Sequence, residues 1–165
     1  MDPLKEKFQE KAFALKSEIK ALLKTNADTK VDEVSIRQLY GGMRGLKSMV
    51  WETSALDPYE GIRFRGYSIP ELHDLLPKHK GGKEPMPEAL FWLMLVDEIP
   101  TQEQAEWLSH QWLTRSNVPE HVFKVIDAMP KDTHPMAQFS AAVVAMKTDS
   151  VFDSRYAGGM NKSEY

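Results

Sequence analysis

The sequence contains no cysteine among its 165 residues. That absence excludes a disulfide framework, a thiolate metal site and a cysteine nucleophile. Long apolar runs are missing as well. The longest, Ala89 to Val96, stops at Asp97-Glu98, far short of the roughly 20 residues a membrane-spanning helix needs. There is no basic excess: 21 Lys and Arg stand against 24 Asp and Glu, a net charge of −3, whereas a dedicated nucleic-acid binder carries a positive surplus. Neither a secretory signal nor an Arg- and Ser-rich transit segment is visible at the start, because charge interrupts Leu4 to Lys24 throughout. What is present, 42% hydrophobic and 27% charged residues, is ordinary for a folded domain. A compact chain of this size buries about 68–70% of its unfolded surface.

Leu4, Phe8, Ala12, Leu15, Ile19 and Leu22 recur in steps of three and four, which puts them on one stripe of a leading helix over 4–24. Such a stripe packs on a core or, alternatively, lies on a membrane surface. Over 31–67 the helical spacing lapses, and Gly41, Gly42, Gly45, Gly61 and Gly66 accumulate. Met49-Val50-Trp51 and Ile62-Arg63-Phe64-Arg65 are β-prone, and Asp57 to Gly61 between them reads as a turn, so a small irregular β patch is expected.

Helical signals hold over 68–165. Ser68 and Glu71 have capping-box spacing, and Pro77 stops the helix they open. Pro87 opens a nearly all-apolar helix, with Pro100 as its expected end. Thr101 and Gln104 form a second capping box, ahead of Ala105, Leu108, Trp112 and Leu113 on one face. Pro119 starts a helix with Val122, Val125 and Ile126 inward, and Pro135 another with Met136, Phe139, Val143 and Met146 on a shared face. A last helix is expected over 150–160. The chain then ends at Tyr165 with neither cap nor tail, as expected of a cut within a longer protein.

The chemistry-bearing residues are sparse. None of the histidines, His73, His79, His110, His121 and His134, has a zinc-ligand spacing. Neither a Gly-x-Ser-x-Gly elbow, a phosphate-binding loop nor a dinucleotide fingerprint occurs. Residues 41–45 (Gly-Gly-Met-Arg-Gly) admit two readings: a backbone cradle with Arg44 forked onto a phosphate, or a tight turn with a solvated Arg44. In an extended strand Arg63 and Arg65 share a face, where they hold a carboxylate ligand or pair with Asp57 and Glu60; structural pairing is the expected use. His134 suits the start of the helix opened by Pro135. No complete catalytic constellation is legible.

Six ordered blocks nevertheless carry a resemblance. Residues 40–47 (Tyr-Gly-Gly-Met-Arg-Gly-Leu-Lys), 51–58 (Trp-Glu-Thr-Ser-Ala-Leu-Asp-Pro), 60–71, 84–93, 98–104 and 134–142 run in the order seen in citrate synthases. The resemblance is to the mitochondrial, eukaryotic type and covers essentially the whole chain. It implies a mainly α fold, with residues 1–165 as the N-terminal part of the large domain, a β patch around 31–67 and the small domain absent. It further implies an acyltransferase condensing acetyl-CoA with oxaloacetate to citrate and CoA, a homodimer in the mitochondrial matrix, no metal, and no cofactor beyond the CoA of the substrate. The family's catalytic histidines and aspartate fall beyond Tyr165, so no catalytic role passes to the five histidines here. Arg44 matches an arginine near the CoA phosphates. Two alternatives remain at this point: a short non-catalytic module derived from the family, and a piece of a 2-methylcitrate synthase.

Overall fold

The computed structural model describes residues 2–43, 45–46, 50, 53–57 and 59–161. Among them are eight α-helices and one antiparallel two-stranded sheet, the mainly α fold expected. Two compact units divide the chain, Met1–Gln111 and Trp112–Tyr165.

In the first unit, α1 (Pro3–Asn26) starts where the Asp2 side chain accepts from the Lys5 amide at 3.0 Å, with Pro3 in the first turn. No residue of α1 is buried. Leu4 packs against the Trp92 cluster, but further along Leu22 and Leu23 remain 60% and 56% exposed. The apolar stripe is therefore only partly seated on a core.

A short helix inside the expected β region, α2 (Ile36–Tyr40), was not anticipated. It forms because Ser35 and Gln38 make a reciprocal capping box. Its end explains Gly42. Gly42 takes φ +74°, and the Met43 amide reaches back to the Gln38 carbonyl at 2.7 Å. A left-handed residue followed by that six-to-one bond is a Schellman stop, and only glycine takes such a φ without steric cost.

Strands β1 (Ser54–Asp57) and β2 (Gly61–Phe64) pair with Ser54 opposite Phe64 and Asp57 opposite Gly61. The turn between them is held by the Asp57 carboxylate, which accepts the Tyr59 and Glu60 amides at 2.8 Å each. The expected strand segment at Met49 and Trp51 lies outside the described residues. The hairpin is too small to stand alone; Phe64 and Tyr67 anchor it to the core.

Helix α3 (Ile69–Leu75) begins with the expected capping box, Glu71 Oε2 accepting from the Ser68 amide at 2.7 Å. It stops before Pro77, with Leu76 extended at ψ 144°. Helix α4 (Pro87–Val96) places Ala89, Trp92, Leu93 and Val96 fully inside. Its terminator is Asp97 in the left-handed region at φ 58°, with its amide on the Leu93 carbonyl at 2.8 Å, and not Pro100. Helix α5 (Gln102–Thr114) opens on the expected Thr101–Gln104 box, with reciprocal bonds of 2.8 and 3.2 Å. Ala105 and Leu108 are buried, while Trp112 and Leu113, read on the same face, are exposed. Two adjoining clusters make the core of this unit, one around Leu72, Leu76, Met86 and Leu93 and one around Trp92, Val96 and Leu108.

The second unit holds α6 (Glu120–Asp127), α7 (Pro135–Ala145), a 3₁₀ turn over Met146–Asp149 and α8 (Val151–Ala157). Helices α6 and α7 pack together. Val122 is the one buried side chain among the described residues of this unit. Val125 faces outward, contrary to expectation, and Met136, Phe139, Val143 and Met146 are all exposed.

Candidate functional site

Two arginines of the β region were expected to lie side by side, and the backbone separates them. Strand β2 ends at Phe64, and Arg65 turns into the left-handed region at φ 49°. The strand alternation that would align Arg63 with Arg65 is lost at that residue. Arg63 stays local: its Nε donates to Glu60 Oε1 at 2.9 Å, Nη1 donates to the Gly66 carbonyl at 3.0 Å and lies 3.7 Å from Glu71 Oε2. Glu60 is held below the usual carboxylate range, first by the hydrogen bond from Arg63 and then by its charge. The expected pairing with Glu60 is therefore present. The Asp57 carboxylate is instead taken by the Glu60 and Tyr59 amides, which lower its pKa.

Arg65 crosses to the end of α4. Nη2 donates to the Met94 carbonyl at 2.7 Å and Nε donates to the same oxygen at 3.2 Å. The last four carbonyls of a helix lack intrahelical donors, and a cation there is also favoured by the helix dipole. Arg63 thus pairs with Glu60 as expected, whereas Arg65 bonds a helix carbonyl in place of the expected carboxylates.

The same helix end receives a second set of cations. Lys7 and Lys11, one turn apart on α1, both pair with Glu98, Lys11 Nζ at 3.0 Å from Glu98 Oε1. Glu98 is pushed down by the hydrogen bonds from Lys7 and then Lys11, and Lys11 is raised, mainly by its bond to Glu98. Sequence reasoning missed this contact. Its only sequence trace is the i, i+4 lysine spacing, since 91 positions separate Lys7 from Glu98.

Between α1, the hairpin and the C-terminal end of α4 runs a groove of about 600 Å³, with Phe8, Leu15 and Leu95 among its apolar walls and Lys11, Arg65 and Asp97 among its polar ones. Among the described residues its cations are Lys11 and Arg65, already engaged with Glu98 and the Met94 carbonyl. An apolar cleft of about 330 Å³ lies between α3 and the start of α4, with His73 and Glu84 on its lining. His73 sits 3.6 Å from Glu84 Oε2 and 3.5 Å from Asp74 Oδ1.

The other histidines have local tasks or none that is visible. His134 caps α7, its Nδ1 accepting from the Met136 amide at 3.1 Å, the helix-start role its position suggested. Nε2 of His121 lies 3.0 Å from the Ala145 carbonyl. His79 contributes its carbonyl to a turn closed by the Gly82 amide at 2.7 Å, and His110 lies on α5. Among the described residues no group of three His, Cys, Asp or Glu side chains is placed to hold a metal.

Arg44 lies outside the described residues. Around it, the Gly41 and Met43 amides are bonded to the Arg37 and Gln38 carbonyls of α2. Those two donors end a helix and do not converge on an anion.

Comparison with known proteins agrees with the six-block resemblance. Residues 42–164 match the family model described as citrate synthase, C-terminal domain. Over 162 residues the chain is 54% identical to the mitochondrial citrate synthase of Saccharomyces cerevisiae, covering 98% of this chain and 34% of that protein. The Neurospora crassa mitochondrial enzyme is 52% identical over the same coverage, and that of Xiphias gladius is 50% identical over 83% of this chain and 29% of its own length. The chain spans about a third of the length of these curated relatives. On this evidence the chain belongs to the citrate synthase family.

Proposed function

We propose that this chain is the N-terminal part of the large domain of a citrate synthase, and that its 165 residues alone do not catalyse condensation. The observation that carries the reading is 54% identity along 98% of the chain to a protein of which that match spans only 34%. In the complete enzyme, an aspartate base takes a proton from the acetyl-CoA methyl group while a histidine stabilises the enol. The enol then attacks the oxaloacetate carbonyl with help from a second histidine. Hydrolysis of the citryl thioester releases citrate and CoA, and pre-organised hydrogen bonds at the developing enolate supply much of the rate. These groups belong to chain beyond Tyr165, with Arg44 contributing a contact to the CoA phosphates. The working assembly is a homodimer in the mitochondrial matrix, a location supported by the relatives' names.

The second unit supports the incompleteness. A face carrying Met136 at 60% and Phe139 at 62% exposure, in a unit whose described residues bury one valine, is an apolar surface waiting for cover. The test is a thiol-release assay of the purified 165-residue chain with acetyl-CoA and oxaloacetate, beside the whole Saccharomyces relative. No release above the blank is expected. Citrate formation by the short chain would overturn the proposal.

A further inference from the structure

We draw no further inference here: the strongest candidate, the groove between α1, the hairpin and the C-terminal end of α4, has its cations Lys11 and Arg65 already committed to Glu98 and the Met94 carbonyl, and nothing in the structure shows what covers its apolar walls.

Discussion

The guanidinium of Arg65 closes the open end of α4 by donating to the Met94 carbonyl at 2.7 Å. A residue just past β2 thereby caps a helix 29 positions later, tying a hairpin with little stability of its own to the best-buried helix of the chain. Arg65→Ala should cost about 1.5–3 kcal/mol, the range for a hydrogen bond involving a charged group. Arg65→Lys should recover part of that, since an ammonium supplies charge without the planar fork. Urea unfolding followed by tryptophan fluorescence reads both, and an unchanged Arg65→Ala midpoint would refute the cap. The neighbouring terminator has the opposite sign. Asp97 sits at φ 58°, so Asp97→Gly should stabilise by about 0.5–1 kcal/mol through relief of left-handed strain.

Acid should loosen the junction of α1 with α4. Glu98 has its pKa depressed below the ordinary 4.5 by Lys7 and Lys11. A depressed folded-state value means the stabilisation is whole above about pH 4.5 and is lost as pH falls through the lower folded value. Lys11 is raised above 10.5, so its share is whole below that pH and is lost as pH rises through the raised value. Between these limits the junction should be insensitive to pH. Thermal midpoints from pH 7 to pH 3 should fall less steeply for Glu98→Gln, with the two proteins converging at the acid end. Parallel profiles would remove the ion pairs from the account.

Inside α4, two substitutions five positions apart should diverge. Leu93 is fully buried, and Leu93→Ala should cost about 2–5 kcal/mol through lost burial and the cavity left behind. Glu88 is 9% exposed, and its Oε2 is buried without a hydrogen-bond partner among the described residues, as is the Trp92 Nε1 one turn on. Replacing an unsatisfied buried polar group by an apolar one of similar size removes a desolvation cost. Glu88→Met should therefore leave denaturant stability unchanged or raise it by about 1 kcal/mol, and a large loss would reveal a partner for the carboxylate.

Arg44 is tested in a full-length citrate synthase carrying residues 1–165 of this chain. If its side chain contacts the CoA phosphates, Arg44→Gln should raise KM for acetyl-CoA by about tenfold, the loss of one charge-assisted bond of about 1.5 kcal/mol. The KM for oxaloacetate should not move. Unaltered acetyl-CoA kinetics would leave Arg44 as a solvated turn residue.

Local patterns were legible where three or four residues settle the matter. The boxes at Ser68–Glu71 and Thr101–Gln104 are complete within four positions, and both formed as expected. Ser35–Gln38 carries the same spacing and marks α2, which went unread within a glycine-rich stretch. Periodicity reports which face of a helix is apolar, not whether anything covers it: Val125 was placed inward and lies outward, and Trp112 and Leu113, read on one face with Ala105 and Leu108, are exposed. Arg65 was misplaced for another reason. Its strand alternation depended on a backbone that stays extended, whereas Arg65 turns to φ 49° and its side chain finds its partner at Met94, 29 positions on. Of the candidate site, the sequence alone offered Arg44 through family resemblance, and the groove beside α1 had no motif because its walls come from three separated segments.

One buried valine among the described residues of the second unit also bears on how amide protons leave the molecule. With so little apolar surface to uncover, brief local openings of α7 are cheap, and deuterium from solvent should enter there early. The amides of α4, walled by Trp92, Leu93 and Val96, open only with the whole unit and should keep their protons longest.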